Sequence, residues 1–298
     1  MNRMTSKIRS FLILLAYSNL LLSIGAALAA FAAAVILNLF ASEFSFIPLL
    51  IIFFITFSIY NFNRKTDLKE DKVNHPERVD FIKKHEKILF ILSVLSYAAA
   101  LSLSLLSNIE TFLVSILPLV IMALYGIKWA PESVRNKLKF SRLKEIPLIK
   151  NIVVSMTWAS MTFVLVFFLS LNITIAVWIV FIFLFLRFFI NTVMFDVRDT
   201  VGDRIFNIRT LPVALGIKKT KYILYGINLF LILFLLAAAF LNLESPIALH
   251  LLNLSNIYSL WYISRIDKND KKFLADVVVD GEYFVIGLLA LLAFLILY

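Results

Sequence analysis

Cysteine is absent from the 298 residues, which excludes disulfides and thiolate metal sites. Glycine and proline number only seven each. No Gly/Ser linker or soluble tail divides the chain, so it reads as a single integral-membrane domain over 1–298. Charge is sparse as well, with 16% charged residues against 61% hydrophobic ones, and the uncharged runs are too long for the core of a soluble domain. Histidine occurs only at His75, His85 and His250, without the spacing or the carboxylate neighbours of a zinc site. The first two read as loop residues and the third as a residue near an interface.

What remains is apolar. Nine candidate membrane spans are read at 11–38, 46–62, 88–109, 111–127, 151–170, 173–190, 222–243, 245–263 and 282–298. Alternating loops then fall on two sides, and 28 of the 29 Lys and Arg residues lie on one of them. The exception, Arg187, sits near the end of a span on that same side. The opposite turns carry Glu43, Glu110 and Glu244 and no basic residue. The positive-inside rule therefore predicts a multi-pass protein of the cell membrane, with its amino terminus and all long loops in the cytoplasm. The first apolar run exceeds the hydrophobic region of a cleavable signal and is followed by eight more, so it is read as a span. The net charge of +10 borders apolar spans and includes no nucleic-acid-reading motif, which favours a membrane surface over nucleic acid as its partner. No obligate protein partner is inferred.

Two polar stretches stand out against this background. In the first, Asn63, Asp67 and Asp71 recur at i, i+4 and i+8; in the second, Asp196, Asp199 and Asp203 recur at i, i+3 and i+7. At helical spacing each set shares one face over about two turns. Such columns of hard oxygen donors suit Mg²⁺, which takes one or two carboxylates, several waters and substrate phosphate oxygens. Both sets follow the end of an apolar run, four spans apart, which would place them opposite one another across the cavity of a helical bundle.

The motifs resemble those of the UbiA superfamily of intramembrane prenyltransferases. The first family motif, Asn-Asp-x-x-Asp-x-x-x-Asp, is matched by Asn63, Asp67 and Asp71, with Arg64 where the second-place Asp is usual. The second, Asp-x-x-Asp-x-x-Gly-Asp, is matched over Asp196 to Asp203 and is followed by Arg209-Thr210-Leu211-Pro212-Val213. A third element, Tyr-x-x-x-Lys, finds its best register at Phe140 to Lys144 and lacks the tyrosine hydroxyl. The resemblance implies an all-α membrane protein with nine transmembrane helices around a central cavity. It further implies Mg²⁺-dependent transfer of a prenyl group from a prenyl diphosphate to a lipophilic acceptor, through an allylic carbocation. Asp67, Asp71, Asp199 and Asp203 would be catalytic, and together with Asn63 and Asp196 they would hold the metal.

Charge on the leaving diphosphate calls for cationic donors nearby. The candidates are Lys144, Lys150, Arg64 and Arg209, with Asn191 as a neutral donor and Lys128 as a further basic residue. Each cation has a rival reading as a topology residue. Arg187, one turn before Asn191, either pairs with the second column or snorkels to the interface. Asn19, a polar residue within an apolar run, either faces the cavity or bonds a neighbouring helix. Asp276 and Asp280 are read as helix amino-terminal charges that complement the dipole. The chain's 29 Phe, 10 Tyr and 4 Trp are enough to wall a cavity that stabilises a cation and excludes water.

Two other classes compete. A CDP-alcohol phosphotransferase also uses Asp columns, but its Asp-Gly-x-x-Ala-Arg string is absent. A cation-coupled transporter would carry carboxylates in mid-span and Gly/Pro-broken helices, whereas the acids here lie at span ends.

Overall fold

A computed structural model of the chain describes residues 3–41, 45–66, 68–126, 149–206, 208–267 and 271–298, and it is helical throughout without a strand among them. Asp67, Lys128, Phe140 and Lys144 lie outside the described residues.

The first expected span is two helices, α1 (Arg3–Tyr17) and α2 (Leu20–Ile36), which meet at a bend of 76°. Asn19 makes the bend, with φ 62 and ψ 9, a left-handed conformation that asparagine tolerates better than most residues. Next come α3 (Ile47–Thr66), α4 (Leu68–Asn74), α5 (Pro76–Ser107) and α6 (Ile109–Gly126). Pro76 opens α5 at a position where its missing N–H costs nothing. Asn108 separates α5 from α6: its Oδ1 accepts from the Thr111 backbone N–H at 2.8 Å and so caps α6.

From residue 149 onward, α7 (Ile149–Ala159) and α8 (Thr162–Phe168) lead to α9 (Ile175–Ile205), which carries the second acidic stretch. The short α10 (Leu211–Leu215) then precedes α11 (Ile217–Phe240), α12 (Pro246–Asn253) and α13 (Ser255–Ser264). Finally, Lys271–Phe273 and a π-helical turn, Leu274–Val279, run into α14 (Glu282–Leu297).

Six of these segments are long and apolar enough to cross a membrane, or seven if the bent pair counts as one span. The nine expected spans are therefore met in part. At 111–127 the apolar helix is only Ile109–Tyr125, and 245–263 is divided between α12 and α13. The break between α12 and α13 falls at Leu254, without a Gly or Pro, so hydropathy alone did not expose it.

The helices close a ring. α2 packs on α3 and α14, α3 on α5, α5 on α6, α6 on α7 and α8, α7 on α9, α9 on α11, α11 on α12, and α12 back on α14. Close approach is set by small residues, as expected where lipid supplies no hydrophobic drive between helices. Ala32, Ala33 and Ala34 of α2 are buried, and a Cβ on Gly287 of α14 would meet the Leu28 side chain at 2.8 Å. The outer face is apolar: Leu106 on α5 and Leu233 and Phe240 on α11 are exposed, as in a surface turned to lipid. No soluble-domain core would leave such residues outward.

Candidate functional site

Inside the ring lies a cavity of about 210 Å³, lined by residues of α1 to α7, of α9 and of the π-turn with the Asp280 that follows it. Its acidic wall is drawn from distant parts of the chain: Asp71 from α4, Asp196 and Asp199 from α9, and Asp276 and Asp280 from the turn. Asn63, one turn from the end of α3, lines it as well. The two stretches singled out by spacing thus meet at one space although they are more than 120 residues apart.

The carboxylates are held by cations. Arg78 Nη2 donates to Asp71 Oδ1 at 2.7 Å, and Arg64 Nη1 lies 3.6 Å from Asp71 Oδ2. Lys150 Nζ donates to Asp196 Oδ1 at 2.7 Å, while Asn151 Nδ2 donates to its other oxygen at 2.8 Å. Arg198 forks onto Asp199, with Nε and Nη2 at 2.9 and 2.6 Å, the bidentate geometry that suits a guanidinium. Its Nη1 reaches across to Asp276. His75 Nε2 closes on Asp199 Oδ1 at 2.7 Å.

Position within the helices explains who pairs with whom. α4 lies against α9, and the Gly202 backbone N–H donates to Asn74 Oδ1 at 3.0 Å. A Cβ on Gly202 would come within 2.4 Å of that amide, so the absence of a side chain there lets the first stretch dock on the second. Asn19 orients Arg64: its Oδ1 accepts from Arg64 Nη2 at 3.2 Å while its Nδ2 donates to Asn61 Oδ1 at 3.0 Å. Asn19 therefore both lines the cavity and bonds a neighbouring helix.

Two groups at the site, outside the spans, shift. Burial alone would raise the Asp71 pKa, but the Arg78 and Arg64 guanidiniums outweigh it and hold the carboxyl below its ordinary value. Burial pushes His75 down to about 4, with the Arg198 guanidinium acting in the same direction against the Asp199 hydrogen bond. His75 is thus neutral at pH 7, and its Nε2–H donates to Asp199.

The remaining sequence candidates fall elsewhere. Asp203 is buried, and its Oδ2 accepts from Thr210 Oγ1 at 3.1 Å, which folds the Thr-Leu-Pro run back onto α9. Arg209 is exposed and does not line the cavity. Asn191 does not line it either; its Nδ2 donates to Asp280 Oδ1 at 3.1 Å. Arg187 neither pairs with the acidic column nor snorkels: it is fully buried and bonds Glu282 Oε1 at 2.7 Å. Asp276 and Asp280, read as dipole charges, instead face the cavity, because the π-turn continues the helix and leaves no free amino terminus there. His75, Arg78 and Arg198 were missed. Spacing gives no sign of them, except that Arg198 sits inside the second motif itself.

A metal is tested by the donors available. No cluster of three or more His, Cys, Asp or Glu poised for direct metal capture exists among the described residues. Mg²⁺ needs only one or two carboxylates when waters and phosphate oxygens complete its shell. Asp71 Oδ2 is buried without a hydrogen-bond partner, and every anionic donor is a hard oxygen. Arg64, Arg78, Lys150 and Arg198 are the four cations facing five carboxylates, so the wall offers a diphosphate no excess positive charge of its own. The residues fit a site that binds a polyanion together with divalent cations.

Comparison with known proteins agrees with this geometry. The chain is 29% identical over 242 residues to the digeranylgeranylglyceryl phosphate synthase of Thermococcus kodakarensis (strain ATCC BAA-918 / JCM 12380 / KOD1), covering 77% of this chain and 76% of the relative. Its fold is similar to a UbiA homolog from Archaeoglobus fulgidus solved with GPP and Mg²⁺, with a TM-score of 0.67 at 15% identity, covering 94% of this chain and 99% of that one. It is also similar to a structure described as giving insight into digeranylgeranylglyceryl phosphate synthase in membranes, with a TM-score of 0.55 at 20% identity, covering 95% and 96%. The profile of the UbiA prenyltransferase family matches residues 20–288, which sets aside the phosphotransferase and transporter readings. The chain belongs to the UbiA prenyltransferase family and is a prenyltransferase.

Proposed function

We propose that the protein transfers a prenyl group from a prenyl diphosphate to the hydroxyl of a glyceryl phosphate lipid within the membrane. The observation that carries the reading is the meeting of two acidic stretches and four cations at one cavity, with the stacked rings of Tyr60 and Trp158, 5.3 Å between centroids, on its wall. The acceptor class is supported by the Thermococcus relative, whose name gives its product as a glyceryl phosphate bearing two geranylgeranyl groups.

Asn63, Asp71, Asp196 and Asp199, which line the cavity, would hold Mg²⁺, with Asp67 and Asp203 retained on their motif positions. The chemistry Mg²⁺ supplies when bound is neutralisation of the charge that collects on the leaving diphosphate. The chain's own part is electrostatic and positional. Arg64, Arg78, Lys150 and Arg198 bind carboxylates at the cavity wall and would be the donors available to diphosphate oxygens there. Lys144 lies outside the described residues and is retained as a diphosphate donor on its motif position. Beyond the charged rim, Tyr60 and Trp158 present ring faces that stabilise an allylic cation and exclude water that would quench it. The short α6 and the α12–α13 pair also cross in this reading, giving nine spans, with both acidic stretches in the cytoplasmic half.

Purified protein in lipid nanodiscs, given geranylgeranyl diphosphate, Mg²⁺ and a glyceryl phosphate ether lipid, is expected to form the second ether bond. Transfer to a hydroxybenzoate but not to the lipid would replace this acceptor assignment with an aromatic one.

A further inference from the structure

Five carboxylates line the cavity, and four of them touch cations: Asp71, Asp196, Asp199 and Asp276. Asp280 does not. Among the described residues its partner is the neutral Asn191 amide, which donates to Oδ1 at 3.1 Å. The residue is 6% exposed, and what exposure it has is onto the cavity it lines.

Its depth differs as well. Asp280 is one turn past Asp276 along a segment running away from the charged rim, whereas Asn191 and Tyr60 precede Asp196 and Arg64 on helices running toward it. All three displacements have the same sense, so Asp280, Asn191 and Tyr60 form a layer one turn below the ion pairs. The π-turn puts the carboxylate there: π-helical turns are uncommon and concentrate at functional sites. The turn is fixed from outside by Tyr258, whose hydroxyl donates to the Val278 carbonyl at 2.8 Å.

We propose that Asp280 is the proton acceptor for the acceptor alcohol, a role that rests on the prenyl-transfer reading above. With the diphosphate held by the rim, its allylic C1 enters the layer that Asp280 faces. As the C1–O bond to diphosphate breaks, that electron pair leaves with the diphosphate. The acceptor oxygen forms the new C1–O bond, and its O–H bond gives the proton to Asp280. A carboxylate paired with a cation would be a poor base, and among the described residues Asp280 is the cavity carboxylate without such a pair. The Asn191 bond aims it and leaves its second oxygen for the hydroxyl. The substrate class follows: the acceptor carries an exchangeable O–H.

The test separates binding from transfer. In Asp280→Asn, geranylgeranyl diphosphate measured by calorimetry with Mg²⁺ should bind within about threefold of wild type, while ether formation falls by ~10²- to 10⁴-fold, the range of a lost general base. Asp280→Ala is the second variant, with the same loss partly restored by added acetate. Transfer by Asp280→Asn close to wild type would overturn the proposal, and so would parallel loss of diphosphate binding, which would assign Asp280 to the diphosphate site. If wild-type protein binds the diphosphate yet forms no ether, the acceptor assignment fails first and Asp280's role with it.

Discussion

Two clusters of buried charge hold α9 to its neighbours, and they are built on opposite principles. Around Arg187 both terminal nitrogens are occupied, and only its Nε lacks a partner. Nη1 donates to Glu282, Ser259 and Asn228 at 2.7, 2.9 and 3.3 Å, and Nη2 to Asn256 and Ser255 at 2.6 and 3.0 Å. The second oxygen of Glu282 accepts from Tyr262 at 3.0 Å. Arg187 and Glu282 are both fully buried, and neither lines the cavity. At the cavity acceptors are left over too: besides Arg64 Nε and Arg78 Nε, the carboxylate oxygen Asp71 Oδ2 has no hydrogen-bond partner, and neither has Asn151 Oδ1 beside Asp196. A network closed around its carboxylate fixes helices, and stranding that charge is costly. An open one retains capacity for a ligand that arrives with its own charge.

The largest expected effect is on stability and comes from the closed cluster. Arg187→Met strands Glu282 without a cation and should cost about 3–5 kcal/mol, read as a fall in the thermal midpoint in detergent. Arg187→Met/Glu282→Leu should recover part of that loss, since the uncompensated charge is gone. A single variant as stable as wild type would remove the distinction between the clusters.

The open cluster should respond in activity instead. Asp71→Asn and Asp199→Asn should each lower prenyl transfer by about 10²- to 10³-fold, the usual cost of one preorganised contact at developing charge. Stability should hardly move, because Arg198 and Arg78 keep Asp276 as a partner. If either variant unfolds as Arg187→Met does, the cavity pairs are structural.

The smallest effect is on pH. His75 has a folded pKa of about 4, below its ordinary 6.5, so the unfolded chain binds the extra proton first. Its contribution to stability is therefore full above about pH 6.5 and is lost as the pH falls toward 4. Unfolding of metal-free protein across that window should flatten in His75→Gln. An unchanged slope would show that another group titrates there.

How much of this was legible depended on whether the information was local. The acidic columns could be read because a helix repeats, and three or four residues of spacing put Asp196 and Asp199 on one face. Their partners could not. By sequence Lys150 and Arg64 are only two among several basic candidates, Arg78 is not among them at all, and which of the many basic residues turns inward is decided by helix packing. Asp276 and Asp280 were taken for dipole charges because nothing in the sequence signals a π-turn. The bend at Asn19 was hidden for a related reason: one left-handed residue breaks the helix without altering hydropathy. Arg187 was noticed, but its partner Glu282 lies 95 residues away and only the ring closure joins them.

The central claim is that the open cluster is a diphosphate site completed by divalent cations. Calorimetric titration of geranylgeranyl diphosphate into the wild-type protein, with Mg²⁺ and then with EDTA, tests it most directly. Saturable binding in Mg²⁺ and none in EDTA is the predicted result. Equal affinity in both would mean that the protein's own cations suffice, and the assignment of the carboxylates as metal holders would be wrong.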